Sequence, residues 1–312
     1  MKAARVLRYG PPSVVEIDDV PQPSPGPGQL LVRVEAAGVG PWDALFREGK
    51  SILEPLPIIL GSDIAGIVEA LGPEVSGFKP GDEVYGSTNP QFSGGQAEYA
   101  VPIVGMIAPK PGTLNFIEAA SVPVVAVTAW QMLFEYGEVV AGQTVLIHGG
   151  AGSVGGYAVQ LAREAGLHIV ATAGPADLDY VRGLGAEKVL DYRKDRFEEL
   201  LSGVDVVLDT IGGATQEKSL RVLKRGGILV SIVSPVPDAL QKQYGVRAAF
   251  FYAEVTTARL NKLTALIDSG KLKTDVGPVL PLEQVQAAHE MLAGAPHKRG
   301  KIVLTIPATS RA

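Results

Sequence analysis

The residues whose types and spacing suit chemistry lie in Thr144-Val145-Leu146-Ile147-His148-Gly149-Gly150-Ala151-Gly152-Ser153-Val154-Gly155-Gly156. This stretch carries G-x-G-x-x-G at Gly150, Gly152 and Gly155, directly behind an apolar run rich in β-branched residues. Each glycine has a physical task. One makes a tight turn, one lets the backbone approach a pyrophosphate with no Cβ in the way, and one lets helix and strand close together. Val154, Ala158, Leu161, Ala162 and Ala165 follow at helical spacing, so the glycines stand where a buried strand becomes a helix whose free N–H groups face an anion. The same letters occur in glycine-rich turns that bind nothing. The strand before and the helix after favour a dinucleotide cofactor.

The residue closing the second strand decides which dinucleotide, because an acid there would bond the ribose hydroxyl of NAD. Here the chain reads Ala171-Thr172-Ala173-Gly174-Pro175, with no carboxylate to repel a 2′-phosphate, and NADPH is favoured over NADH. Against this, no Arg or Lys follows immediately, and Asp177 and Asp179 lie a few residues on.

The elements that must position this turn are legible as a change of period. Residues 1–110 read as short strands at 14–17, 30–35, 64–70, 83–86 and 97–101, with the proline-rich 21–28 as a loop, which predicts an all-β, barrel-like domain. Beyond residue 116 helical patterns appear at 116–121 and 127–139. Strands then alternate with helices at 144–148, 168–172, 188–191, 205–209, 227–232 and 247–252. That is a βαβ pattern with enough strands for a complete dinucleotide-binding sheet. Pro278 and Pro281 break the pattern before one more helix at 282–293 and a final strand at 300–306, a segment expected to pack back on the N-terminal domain. The fold expectation is an α/β chain, a Rossmann doubly wound parallel sheet plus a barrel domain. Residues 1–122 and 262–312 are expected to form the barrel domain, and 123–261 the dinucleotide-binding domain.

Composition agrees and excludes other classes. At 312 residues the chain holds about two domains. Its net charge of −5, with 28 basic residues scattered among 33 acidic ones, lacks the basic footprint of a nucleic-acid binder. With no cysteine there is no disulfide, thiolate-held zinc or cysteine nucleophile. His148, His168, His289 and His297 form no pair at metal-ligand spacing and read as ordinary strand, helix or loop histidines. The N-terminus lacks a secretory h-region and no apolar run nears the ~20 residues that span a bilayer, so no membrane association is expected and the cytoplasm is the expected compartment.

The chain resembles the zeta-crystallin-type quinone oxidoreductases of the medium-chain dehydrogenase/reductase superfamily over essentially its whole length. The resemblance rests on Gly38-Val39-Gly40-Pro41-Trp42-Asp43 with Arg47 and Gly49, Gly61-Ser62-Asp63-Ile64-Ala65-Gly66, and Phe78-Lys79-Pro80-Gly81-Asp82-Glu83-Val84. It continues through Val127-Thr128-Ala129-Trp130, the glycine turn, Leu184-Gly185-Ala186 with Asp191-Tyr192, and Arg299-Gly300-Lys301-Ile302-Val303-Leu304. The resemblance implies a GroES-like β-barrel catalytic domain around a Rossmann domain. It also implies NADPH-dependent, metal-free reduction of a quinone or of the C=C bond of an α,β-unsaturated carbonyl, by a homodimer. Zinc-dependent relatives place a cysteine near the position of Gly40 and a histidine where this chain has Ser62.

Carried over residue by residue, the resemblance places Thr128 near the nicotinamide and Gly152, Ser153 and Val154 at the pyrophosphate. Ala173, Gly174 and Tyr192 fall around the adenosine phosphate. Thr210, Ile211, Val233, Phe250 and Phe251 complete the cofactor pocket, with Lys301 a weaker contact. Core packing is the alternative for Thr128, Val233 and the two phenylalanines. Two departures stand out. The family commonly has Asn at the position of Gly40, and its loss is expected to widen the pocket. The basic residue after the second strand is also missing, leaving Tyr192, Arg182 or Arg299 to serve the 2′-phosphate.

Hydride transfer to an electron-poor carbon needs no protein nucleophile, only positioning and a donor for the developing oxyanion. Backbone N–H, water, Tyr85 or Tyr252 are the donors considered, and no catalytic acid is assigned. Trp42 and Phe250 are candidate substrate walls, with Asp43 and Arg47 as an ion pair beneath them; packing is the alternative for all four. The other readings are a carbonyl or enoyl-thioester reductase on the same scaffold, and an NADPH-binding module with little turnover. The sixth strand, 247–252, has the apolar edge that could pair across a dimer.

Overall fold

The computed structural model describes residues 1–50 and 56–306. The chain divides into two units, Met1–Val124 with Glu254–Gly270 and Thr274–Ala312, and Val125–Ala253 with Lys271–Lys273.

The first unit is built on β1 (Lys2–Val6), β2 (Val15–Asp19), β3 (Leu30–Val39), β4 (Ile58–Ile59), β5 (Asp63–Leu71), β6 (Glu83–Ser87), β7 (Tyr99–Ala100) and β8 (Ile107–Pro109). A small sheet orders β2, β1 and β4, while a larger one runs from Val276–Pro281 through Lys301–Thr305 to β3, β5, β6 and β8, with β7 on β3. Leu30, Val32, Val34, Ile64, Val68, Val84, Ile107 and Leu304 meet in its core. Two short helices follow sequence rules closely. Helix α1 (Pro41–Arg47) starts with proline in its first turn, and α2 (Phe116–Ala120) is closed by a capping box in which Glu118 N–H donates to Asn115 and Asn115 N–H donates to the Glu118 carboxylate.

The expectation that Pro278 and Pro281 interrupt regular structure is corrected. Val276–Pro281 is a strand, parallel to Lys301–Thr305 at the end of the larger sheet. An edge strand presents one row of groups to solvent, so proline's missing N–H costs no ladder bond there.

The second unit begins in α3 (Pro123–Trp130), which passes into a π-helical stretch, Gln131–Tyr136, where the sequence reads as one helix. Then come β9 (Thr144–Ile147), α4 (Ser153–Glu164), β10 (His168–Ala173), α5 (Leu178–Leu184), β11 (Lys188–Asp191), α6 (Phe197–Leu200), β12 (Val204–Asp209), α7 (Gly213–Val222), β13 (Leu223–Ser231), α8 (Asp238–Tyr244) and β14 (Arg247–Phe250). All pairings are parallel and the spatial order is β11-β10-β9-β12-β13-β14, the doubly wound order with its switch point between β9 and β12. The strands read as near-continuous apolar runs because helices cover both faces. No helix among the described residues is long and apolar enough to cross a membrane.

Candidate active site

A parallel sheet puts the carboxyl ends of all its strands on one edge, and in open α/β sheets ligands bind there at the switch point. The second-unit residues singled out in the sequence follow those ends. His148 and the glycine turn follow β9, Gly174 follows β10 and Tyr192 follows β11. Thr210 and Ile211 follow β12, Val233 lies just beyond β13, Phe250 ends β14 and Phe251 follows it. Thr128 is buried in α3.

The turn is held by its own backbone. Gly149 adopts φ +67°, a left-handed conformation that favours glycine. Gly150 N–H donates to Thr172 O at 2.8 Å and Gly152 N–H to Gly149 O at 2.9 Å. A Cβ on Gly155 would lie 2.1 Å from Gly149 O, so this glycine brings helix and turn together. The earliest backbone donor within α4 is Gly156, to Gly152 O at 2.8 Å. The N–H groups of Ser153, Val154 and Gly155 therefore precede the helix's own ladder and carry its positive end. This cradle fits the pyrophosphate of a dinucleotide.

Asp209, which sequence reasoning passed over, shapes the neighbouring turn. One of its oxygens accepts Ile211 N–H at 3.0 Å and Gly212 N–H at 2.8 Å, while the other accepts Gln216 Nε2 at 3.0 Å and Ser231 Oγ at 2.9 Å. Thr210 Oγ1 donates to His148 O at 2.9 Å. The result is an apolar ledge of Ile211, 54% exposed, and Val233, 47% exposed. An acid ending an otherwise apolar strand before Thr210-Ile211-Gly212-Gly213 was the signal for it.

Beyond β10, the Tyr192 side chain lies over Gly174, whose Cβ direction points to the Tyr192 ring and hydroxyl at 3.6–3.7 Å. The Arg193 guanidinium stands 5.8 Å from the Tyr192 ring centroid. Arg182, one expected stand-in for the missing basic residue, is paired with Asp179 at 2.5 Å, and Arg299, the other, belongs to the first unit and pairs with Asp275 at 3.2 Å. Phe251 is buried and stacked on Tyr136 at 4.3 Å, whereas Phe250 meets the edge of Tyr252 at 5.2 Å.

In the first unit, Lys301 is buried with Nζ 2.9 Å from Asp63 Oδ2 and 4.2 Å from the Trp42 ring centroid. The other Asp63 oxygen accepts Val124 N–H at 3.0 Å. The expected Asp43–Arg47 ion pair is corrected: Asp43 accepts Gly40 N–H at 2.8 Å and Gly61 N–H at 2.9 Å, and Arg47 turns to Glu48. Burial pushes the Asp43 carboxyl up to about 7, against the pull of Gly40 N–H, Lys301 and Gly61 N–H. The wider pocket expected at Gly40 is also corrected. A Cβ there would lie 2.4 Å from Trp42 Cζ2 and Cη2, so the indole fills the space an asparagine would need.

Of the tyrosines considered as proton donors, Tyr85 is fully buried and bonded to Leu260 O at 2.9 Å and Thr264 Oγ1 at 2.8 Å, and burial raises its pKa well above the ordinary phenol value. Tyr252 is 83% exposed. Neither is posed as a buried acid.

A doubly wound sheet with a glycine turn at its switch point, in one chain with a β-rich unit, defines the class of medium-chain dehydrogenases/reductases. Residues 26–129 match the alcohol dehydrogenase GroES-like domain family and residues 184–304 the zinc-binding dehydrogenase family. The chain is 34% identical to a quinone oxidoreductase of Sus scrofa over 98% of both chains. It is also 34% identical to the NADPH-dependent alkenal/one oxidoreductase, chloroplastic, of Arabidopsis thaliana, over 97% of this chain and 79% of that one. The structure of a quinone oxidoreductase from Coxiella burnetii superposes with TM-score 0.92 at 33% identity, covering 98% of this chain and 99% of the other. The chain belongs to the zeta-crystallin-like quinone oxidoreductase family and is an oxidoreductase. A family zinc centre does not fit these residues: there is no cysteine, and the described residues contain no cluster of three His, Asp or Glu able to hold a metal.

Proposed function

We propose that this chain is an NADPH-dependent reductase that delivers hydride to a quinone or to the C=C bond of an α,β-unsaturated carbonyl. The observation that carries the reading is the glycine cradle at the switch point, with N-terminal N–H groups of α4 that precede the helix's own ladder and an apolar ledge, Ile211 and Val233, at the ends of the adjacent strands. Ser153, Val154 and Gly155 hold the pyrophosphate through backbone N–H groups. Ile211 and Val233 offer an apolar face, and Thr128, Thr210, Phe250 and Phe251 complete the pocket within the second unit. Ala173, Gly174, Tyr192 and Arg193 surround the adenosine phosphate. β10 ends in Ala173 rather than an acid, and the Arg193 guanidinium beside Tyr192 supplies the positive charge for a 2′-phosphate, which supports NADPH over NADH. When bound, the cofactor supplies the hydride. The chain contributes position, exclusion of water and backbone donors, and Phe250 at the end of β14 is the aromatic surface assigned to a planar acceptor. The activities for which the relatives are named, a quinone and an alkenal/one oxidoreductase, support the substrate class.

The edge position of β14 supports a homodimer formed by strand pairing, with sedimentation as its check. The proposed function is tested by following oxidation of NADPH and of NADH with phenanthrenequinone, benzoquinone, a simple enone and a simple aldehyde in parallel. Turnover of quinone or enone with NADPH preferred is expected. Aldehyde-only turnover, or preference for NADH, overturns it.

A further inference from the structure

His148 is buried at the end of β9, with no solvent to satisfy its ring. Its Nε2 lies 2.9 Å from Ser219 Oγ, its Nδ1 3.2 Å from Thr172 Oγ1, and Phe197 packs edge-on at 4.7 Å. The directions of these bonds follow from what each neighbour has already committed. Ser219 Oγ donates its only proton to Thr215 O at 2.7 Å, one helical turn back. Toward the histidine it can only accept, so Nε2 carries a hydrogen. A neutral imidazole has one such hydrogen, which leaves Nδ1 as an acceptor. Thr172 Oγ1 must then donate to Nδ1, and its lone pair is turned to the Gly149 N–H, 3.2 Å away. Burial lowers the His148 pKa to about 4, in keeping with a neutral ring.

We infer that His148 is a positioning residue for cofactor binding, holding the glycine turn through a one-way chain of hydrogen bonds from Gly149 N–H through Thr172, the ring and Ser219 to Thr215 C=O. The inference rests on the proposed role of that turn. The chain has a geometric consequence. The peptide N–H of Gly149 points back into the sheet, at the one turn residue with positive φ between β9 and α4, so the next peptides are oriented as a cradle. It also couples the end of β10 to α7, two elements that flank the switch point.

The test compares Thr172→Val, which removes the hydroxyl, with Thr172→Ser, which keeps it, on variants whose circular dichroism and melting match the parent. Thr172→Val is expected to raise the NADPH Kd about tenfold, with kcat at saturating NADPH changed less than about twofold, and Thr172→Ser to restore the parent value. Independently, nitrogen-15 NMR of the parent protein, with the His148 signal assigned through its response to Ser219→Ala, reads the tautomer without reference to cofactor. A protonated Nε2 and bare Nδ1 are expected. A protonated Nδ1, or an unchanged Kd in folded Thr172→Val alongside normal NADPH binding by the parent, overturns the inference alone. Failure of the parent to bind NADPH overturns the proposed function and the positioning role together.

Discussion

The Lys301 ammonium lies 2.9 Å from Asp63 Oδ2, with the lysine side chain 4% and the aspartate 0% exposed. Two charges removed from water this completely cost much desolvation, and their attraction repays it only while both are present. Gly38 makes room for the pair, since a Cβ there would meet Asp63 Cβ at 2.9 Å and Lys301 Cε at 3.0 Å. Lys301→Met leaves Asp63 buried without its cation, and the expected loss is about 3–5 kcal/mol. Urea unfolding checks it. Adding Asp63→Asn to that variant is expected to recover part of the loss, because the stranded charge goes.

Asp43 sits close enough to this pair to feel both charges, and its carboxyl is pushed from 3.8 up to about 7 chiefly by burial. Between those values the folded protein holds a proton that the unfolded chain has released. The stability this contributes is full below pH 3.8 and is lost as pH rises through about 7. Asp43→Asn keeps the size of the side chain and removes the titration. Urea midpoints measured across that window are therefore expected to fall with pH in the parent relative to the variant. A constant difference between the two would contradict the raised carboxyl.

His289 acts in the opposite sense. It is buried, neither ring nitrogen has a hydrogen-bond partner among the described residues, and burial, then the charge of Arg47, lowers its pKa from 6.5 to about 4. The unfolded chain takes up a proton first on acidification, so stability is full above pH 6.5 and is lost as pH falls through about 4. His148 adds a loss of the same sign. His289→Phe removes a titrating group whose ring makes no hydrogen bond, and the expected outcome is an acid-unfolding midpoint displaced to lower pH, read by circular dichroism.

The second unit was legible because its strands are apolar runs closed by turn chemistry, and the residues that follow a parallel strand fall on the ligand-binding edge. The first unit was less so. Lys2–Val6 alternates too weakly, with Ala3 and Ala4 in place of β-branched residues, and the Val276–Pro281 strand is disguised by prolines that only an edge tolerates. The hydrogen-bond chain through His148 joins residues 24 and 71 positions apart, brought together only by the order of strands and the packing of α7. At Gly40 the sequence shows a missing side chain. That the Trp42 indole folds back into its place is a property of the turn into α1, which no residue type announces.

Arg193 offers a direct check on cofactor choice. Its backbone N–H is bonded to Asp191 Oδ1 at 3.0 Å, which fixes the turn after β11. A charge-assisted bond to a phosphate contributes about 1.5–3 kcal/mol. Arg193→Ala is therefore expected to raise the Kd for NADPH about tenfold or more and to leave that for NADH nearly unchanged. Equal losses for both cofactors would remove the arginine from 2′-phosphate recognition.

Gly152 and Gly155 separate folding from binding within one turn. At Gly155 an added methyl would stand 2.1 Å from Gly149 O and 2.8 Å from its carbonyl carbon, so Gly155→Ala must push helix α4 off the turn. Its expected outcome is a lowered melting temperature together with loss of NADPH binding. At Gly152, which is exposed, a Cβ approaches only Gly149 O, at 3.3 Å, and otherwise points into open space beside the free N–H groups of α4. Gly152→Ala is therefore expected to fold with nearly the parent melting temperature while weakening NADPH, because the methyl occupies the approach of the pyrophosphate. Calorimetric titration with NADPH and thermal melts of the two variants give the comparison, and equal melting losses in both would mean that Gly152, too, serves the fold rather than the ligand.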